Sequence, residues 1–172
     1  MLLKHLFLLV AITASNVSAI ANSQQTVDGI NVLTKKTLAT KQAIDNYNGG
    51  FTGALLVAKS IYTAHMTSEN IRKNMDSSDP FDGEDGDRTM DAYHQFAPVL
   101  LDTLRAGQQK APLFRTSGVA YPAQAMISNL YNEKGRFEDS MHGQLSSNHS
   151  LMIKPSVDII DREFKKTLDA FS

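Results

Sequence analysis

Residues 26–75 read TVDGINVLTKKTLATKQAIDNYNGGFTGALLVAKSIYTAHMTSENIRKNM, and this stretch decides the fold of the chain. Its centre, residues 47–53, holds three glycines and an asparagine, which tolerate positive φ and end helices. Apolar residues on both sides of this segment recur at three- and four-residue steps, which is typical of amphipathic helices. The sequence therefore predicts one helix over about 25–47, a hinge, and a second helix over about 53–75.

The second predicted helix is apolar around much of its circumference, because Leu55, Leu56 and Tyr62 lie beside its main apolar stripe. A helix with so wide an apolar face usually has partners on more than one side. We therefore expect it near the middle of a helical bundle.

The remainder of the chain also has helical patterning, which proline and glycine interrupt. We expect a third helix from residue 88 or 89 that Pro98 kinks or divides, and a fourth helix that starts at Pro112 and has a break near Gly135. A last helix is predicted over about 155–171. No segment alternates as a strand does. The predicted fold class is all-α, a single-domain bundle of five to six helices.

Composition excludes several classes of protein. With 172 residues, 42% of them hydrophobic and 20% charged, the chain is typical of one globular domain. A formal net charge of -1 gives no basic field for nucleic acid. The chain has no cysteine, which excludes disulfides, thiolate metal sites and a cysteine nucleophile.

The first residues match a secretory signal peptide. Lys4 precedes an apolar run over residues 6–14 that is too short to span a bilayer, and small residues follow. We expect residues 1–19 to be the signal peptide, cleaved after Ala19 or Ala21, and residues 22–172 to form the mature bundle. The predicted location is extracellular, with no evident anchor for cell-wall association. Asn148 begins a glycosylation sequon, so a glycoprotein is expected.

Residues 76–87 are rich in acid, glycine, serine and proline, and we expect an exposed loop there. Acidic residues in and just after it offer enough oxygens for calcium, yet none of the registers matches the EF-hand pattern. Calcium binding is thus an alternative function, although no metal ligand is assigned. Its candidate residues are Asp79, Asp82, Glu84, Asp85, Asp87 and Asp91.

Enzyme motifs are lacking: there is no Gly-x-Ser-x-Gly elbow, no His-Glu-x-x-His helix and no phosphate-binding glycine loop. Of the five histidines, the four that follow the predicted signal peptide are not paired at ligand spacing with acids on one helical face. They are His65, His94, His142 and His149. We expect no catalytic residues, no cofactor and no enzymatic activity.

The order of elements resembles the fungal hydrophobic surface-binding protein A family and the related cell-wall galactomannoproteins. The resemblance covers nearly the whole mature chain. The residues that carry the resemblance in the first half of the chain are 28–34, Leu38, 44–50 and 53–55. In the second half they are Tyr93, Pro98, Leu101, Leu104, Lys110, Phe114 and the closing segment 157–164.

This resemblance implies that the chain binds fatty acids or related lipids between its helices, or adsorbs to hydrophobic surfaces. An interaction module that recruits a secreted hydrolase to a hydrophobic substrate is a further alternative. Apolar stripes also form ordinary cores, so the lipid-lining residues are candidates only. They are Ile30, Leu33, Leu55, Tyr62, Met66, Phe96, Leu100, Leu104, Phe114, Met126, Leu130, Phe137, Met141, Ile160, Phe164 and Leu168.

The carboxylate of a bound fatty acid would need polar partners. Tyrosine hydroxyls and nearby cations are the residue types that could supply them. The candidates are Tyr47, Tyr62, Tyr93, Tyr121, Tyr131, Lys59 and Arg115.

Overall fold

Five helices and short turns make up the part of the chain that the computed structural model describes, which is residues 2–81 and 83–172, with side chains from residue 23 onward. The side chains of the predicted signal peptide are not among those described, and its cleavage stays a prediction. The predicted all-α bundle is confirmed. Within the described residues, none of the helices has the length and apolar character that a membrane span requires. The helices are α1 (Leu2–Asp45), α2 (Phe51–Asp76), α3 (Glu84–Thr116), α4 (Ala120–Gln144) and α5 (Ser147–Ala170).

The helices pack in two layers. In one layer α3 lies between α1 and α5, and in the other α2 and α4 pack against each other and cover the outer helices. The Gly50 N–H donates to Ser117 Oγ (2.8 Å), and Arg115 Nη1 donates to the Ala170 carbonyl (2.8 Å). The C-terminal ends of α1, α3 and α5 therefore lie together, and we call this end of the bundle the hinge end.

The turn between α1 and α2 is the hinge that the sequence predicts. Gly49 and Gly50 have φ values of 99° and 80°, a region that favours glycine. Gly53 is needed for space, because a Cβ there would lie 3.0 Å from the ring of Tyr47. Tyr47 is buried and stacks on Phe114, with 4.2 Å between the ring centroids, so the hinge is fastened to α3.

The acidic loop is shorter than predicted, because α3 begins at Glu84 and not at residue 88. Glu84, Asp85 and Asp87 lie in its first turn, where negative charge interacts favourably with the helix dipole. What seemed a solvated loop is thus partly a helix start.

At four further positions a helix continues through a possible break, so the boundaries predicted at Pro112 and Pro155 and the break near Gly135 were wrong. Pro98 does not divide α3, Pro112 lies inside it, and α4 continues through Gly135. The last helix begins at Ser147, with Pro155 inside it. Packing within the bundle outweighs these local breakers. The start of α5 has a local cause as well, since the Oγ of Ser146 accepts the backbone N–H of His149.

The expectation that the second helix is central was wrong. Only Val57, Ile71 and Met75 of α2 are buried, and α3 is the central helix. Several large apolar side chains of α2 face solvent instead. They are Phe51, Leu55, Leu56 and Tyr62.

Candidate functional site

An apolar cavity of about 260 Å³ lies between the two helical layers. All five helices contribute to its wall, and Phe171, the residue that follows α5, closes part of the hinge end. Small-molecule sites in proteins have volumes of about 300–1,000 Å³, so the volume of this cavity lies just below that range.

The cavity is long and opens near the hinge end. Phe51, Leu55 and Pro122 belong to its wall and are exposed, which marks its mouth. Along α4 the wall extends to Phe137, eighteen residues beyond Val119, and at 1.5 Å per residue this is a length of about 27 Å. Such a shape suits an unbranched chain.

Small side chains leave the space unfilled. Helix α2 contributes Ala54, Ala58 and Ala64 to the wall, and α4 contributes Ala123. Opposite them α3 places Gly107, whose missing side chain leaves only Thr167 within 4 Å of a built Cβ. Alanines on one layer and a glycine on the other thus keep the layers from closing.

Ten of the sixteen predicted lipid-lining residues are in the cavity wall, and their role in binding stays a prediction. They are Leu33, Leu55, Phe96, Leu100, Leu104, Phe114, Met126, Leu130, Phe137 and Phe164.

The other six candidates lie elsewhere. Ile30, Met141 and Ile160 are wholly buried in the core. Met66 and Leu168 are half-buried outside the wall, and Tyr62 faces solvent.

Three of the four threonines in the cavity wall have hydroxyls that are hydrogen-bonded within their own helices. Thr40 Oγ1 donates to the Lys36 carbonyl (3.0 Å), and Thr167 Oγ1 donates to the Glu163 carbonyl (2.7 Å). Thr103 likewise donates to its own helix. Because their protons are committed to backbone carbonyls one turn away, these residues offer no free donor to a ligand.

Two charged residues, Glu133 and Lys134, belong to the wall toward the end away from the mouth. Glu133 is 2% exposed, and its Oε1 accepts the Nε of Arg72 (2.9 Å). Its Oε2 is buried and has no hydrogen-bond partner in the described part of the chain. Lys134 Nζ is paired with both Glu138 and Asp161.

The electrostatics of this region follow from burial. Burial raises the pKa of Glu138 to about 7, although Lys134 acts in the opposite direction. Burial, with the nearby Glu138, also raises the pKa of Tyr93, whose hydroxyl donates to Glu138 Oε1 (3.3 Å). The hydrogen bond to Glu133 raises the pKa of Arg72, so its charge is secure.

None of the seven residues predicted to bind a carboxylate is in the cavity wall. Tyr47 and Tyr93 are buried in the core, and Tyr131 packs on Phe164. The other four are exposed. They are Lys59, Tyr62, Tyr121 and Arg115.

Glu133 was missed, although the sequence carried a signal for it. It falls at a helical step between Leu130 and Phe137, so it is a charge within the apolar stripe of α4. A charged residue on the buried face of a helix needs a partner or a function.

His149 has an acidic partner on another helix, a contact that spacing along one helix could not predict. Its Nε2 lies 2.9 Å from Asp87 Oδ1, and its Nδ1 lies 3.0 Å from Ser146 Oγ. Gly86 makes room for the ring, since a Cβ there would lie 2.5 Å from it. These contacts join the starts of α3 and α5, away from the cavity. Asn148 is exposed in the same turn, and its glycosylation stays a prediction.

The calcium alternative gains no support from its described candidates, and Asp82 lies outside the described residues. Asp85 pairs with Arg88, Asp87 with His149, and both lie in a helix and not in a loop. Among the described residues, no group of three acidic or histidine side chains is placed to hold a metal ion.

Solved structures with the same fold are known. AFMP4P, in complex with palmitic acid, has a TM-score of 0.84 and 13% identity over 87% of this chain and 99% of its own. Ligand binding domain 1 of the MP1 protein of Penicillium marneffei, complexed with arachidonic acids, has a TM-score of 0.80 and 13% identity over 90% and 99%. Ligand binding domain 2 of MP1 has a TM-score of 0.78 and 13% identity, over 89% of this chain and 96% of its own. At such identity these likenesses show the fold alone.

Sequence comparison gives the family. No curated protein sequence is detectably similar to this chain. The family model for hydrophobic surface binding protein A matches residues 23–143, which is more than half of the chain and includes α2, α3 and most of α4. The chain belongs to the hydrophobic surface binding protein A family.

Proposed function

We propose that this protein binds one long-chain fatty acid, or a similar single-chain lipid, in the cavity between its helical layers. The observation that carries the proposal is the long apolar cavity itself, which is open at the hinge end. The proteins of the same fold that were solved with palmitic or arachidonic acid support it.

The energetics are adequate for an apolar chain. Each buried methylene contributes about 0.8 kcal/mol, so a dozen contribute about 10 kcal/mol before association costs of about 4–15 kcal/mol. The affinity for a fatty acid thus depends on how well the cavity wall fits the acyl chain. The wall of alanines, leucines and phenylalanines is already formed and needs little ordering.

The carboxylate of a fatty acid should remain at the mouth. Around the other end of the cavity, Glu133 carries a buried negative charge and Lys134 is already paired with two acids. Repulsion and desolvation both disfavour a further carboxylate there. At the mouth, water solvates the charge while the tail enters the cavity.

A filled cavity provides the test. Ala123→Phe places a large side chain in the wall near the mouth, and we expect the affinity for palmitic acid to fall at least about tenfold, as for a loss of several buried methylenes. Displacement of a fluorescent fatty acid measures the dissociation constant.

The matched control for this test is Ala125→Phe, because Ala125 is exposed on the same helix and outside the wall. This variant should bind palmitic acid as the wild type does. Equal affinities for the wild type and Ala123→Phe would show that the lipid does not enter the cavity.

Adsorption to hydrophobic surfaces is a second candidate function, and the exposed apolar side chains of α2 favour it. Phe51 is 71% exposed and Leu56 is 64% exposed. With Leu55 and Tyr62 they form an apolar patch, which we call the α2 patch, next to the cavity mouth. Large exposed apolar patches mark interaction sites.

We place both activities outside the cell and propose that they are non-enzymatic. The leader-like residues 1–19 and the exposed sequon at Asn148 support export. Secreted protein should begin at Ile20 or Asn22, which N-terminal sequencing would check. An intact leader would contradict export.

A further inference from the structure

At the buried end of the cavity, the wall residue Glu133 has one carboxylate oxygen without a hydrogen-bond partner among the described residues. Glu133 Oε1 is engaged by Arg72, whereas Oε2 is buried and has no partner in the described part of the chain. Buried polar atoms in native proteins almost always have a partner, so an orphaned carboxylate oxygen in a cavity wall needs an explanation. A bound ligand that donates a hydrogen bond would supply one.

The cations near this end are fully used. Arg72 is paired with Glu133 and with Asp76 (3.3 Å), and Lys134 is paired with two acids of its own. An arriving carboxylate would therefore find no unpaired cation among the described residues there, and Glu133 itself would repel it. A neutral hydroxyl would find the charged acceptor that it suits, and hydrogen bonds to charged groups are the stronger kind.

We infer that the inner end of the cavity binds the hydroxyl group of a long-chain lipid alcohol, which donates its proton to Glu133 Oε2. This inference rests on the proposed cavity function and adds the chemical class of the ligand. A fatty acid enters tail first and leaves its charge at the mouth. A lipid alcohol enters with its hydroxyl inward and reaches Glu133. This residue is eleven positions after Pro122 at the mouth, which is about 16 Å along α4.

The position of Glu133 on α4 supports this assignment. Leu130 and Phe137, one turn away on either side, are both in the wall, so a chain that follows this helix passes Glu133. Arg72 holds the carboxylate from α2, and α2 packs on α4 along this length. The acceptor is thus fixed by two helices before any ligand binds.

The test compares three probes of equal chain length: 1-hexadecanol, its methyl ether and hexadecanoic acid. The affinity of each probe is measured by its displacement of a dansylated undecanoic acid from the full-length mature protein at pH 8. We expect the alcohol to bind at least about tenfold more tightly than the ether, because only the alcohol can donate to Glu133.

Glu133→Gln assigns the effect to this residue. The amide oxygen can still accept from Arg72, while its NH₂ replaces the open acceptor with a donor. The advantage of the alcohol over the ether should fall below about threefold, and hexadecanoic acid should bind at least as tightly as before. Asp139→Asn, an exposed change on the same helix, should leave all three affinities unchanged.

Different failures have different meanings. Equal binding of alcohol and ether by the wild type overturns the hydroxyl site and leaves fatty-acid binding standing. An unchanged alcohol preference in Glu133→Gln overturns the role of Glu133. If none of the three probes displaces the dansylated acid, both this inference and the proposed function fail. If Glu133→Gln does not fold, the ratio of the alcohol and ether affinities of the wild type still tests the hydroxyl site.

Discussion

At the scale of single residues, Glu138 is the group whose titration should be visible in stability. It is buried between Tyr93 and Lys134, with Asp161 also nearby, and its pKa is raised to about 7. An ordinary glutamate has a pKa of about 4.3 in an unfolded chain. Between these values the folded protein holds a proton that the unfolded chain has lost, so this group makes stability fall as pH rises.

Glu138→Gln should remove that dependence. Glutamine stays neutral and still accepts from Tyr93, so the free energy of unfolding of the variant relative to wild type should rise from about pH 4.5 to about pH 7 and then level off. Urea unfolding at several pH values measures the difference. The exposed neighbour Asp139 provides the control. For Asp139→Asn, the free energy of unfolding relative to wild type should not change between about pH 4.5 and about pH 7. If the free energy of unfolding of Glu138→Gln relative to wild type also stays constant over this range, the pKa of Glu138 in the wild type is ordinary.

At the scale of helices, the contact between α1 and α2 depends on Gly29. A Cβ at this position would lie 2.7 Å from Cγ1 of Ile71, which is buried. Two effects of Gly29→Ala compete: helix propensity gains about 1 kcal/mol, and overpacking costs about 1–3 kcal/mol. Because Ile71 has little room to move, we expect a net loss of about 1 kcal/mol in the free energy of unfolding, measured in urea.

Gly135→Ala is the matched control, because nothing lies within 4 Å of a Cβ built there. It should stabilise the protein by about 0.5–1 kcal/mol through helix propensity alone. In an Ile71→Ala background, Gly29→Ala should also become stabilising. If Gly29→Ala destabilises equally in both backgrounds, Ile71 is not the cause.

The helices also show where sequence reasoning succeeds and where it fails. The helical period and the glycine hinge are local features of the sequence, and they predicted the end of α1, the whole of α2 and the turn at Gly49 and Gly50 closely. The start of α1 was not predicted, since the helix begins at Leu2 and not near residue 25. Proline and glycine were given too much weight at Pro98 and Gly135, because a packed neighbour holds a helix together through a locally unfavourable residue. The position of α2 could not be predicted, since an apolar face looks the same whether it meets a partner or a ligand space.

For the whole molecule, the sequence predicted much of the cavity wall but not its charged end. Apolar stripes identify the inward face of each helix, and residues such as Leu104 and Leu130 follow from them. Whether the two helical layers leave a cavity depends on the summed volumes of the side chains between them. The apolar stripe of one helix does not contain this information. The pairing of Glu133 with Arg72 joins residues 61 positions apart, so only the fold brings them together.

At this scale the cavity and the α2 patch are two apolar features that can be separated. Leu56 and Tyr62 are 64% and 60% exposed and lie outside the cavity wall. Replacing both with serine should weaken adsorption to polystyrene beads by about tenfold, because two large apolar side chains no longer leave water on contact. The affinity for palmitic acid should stay at the wild-type value.

Ala123→Phe should have the opposite profile: it fills the cavity and leaves the α2 patch intact, so ligand affinity falls and adsorption persists. Bead depletion measures adsorption, and probe displacement measures binding, on the same preparations of the wild type and both variants. If both variants lose both activities together, the patch and the cavity are a single site, and adsorption requires the bundle to open. If the two activities separate, a closed bundle performs both, and the patch next to the mouth brings the cavity to the surface from which a lipid is taken.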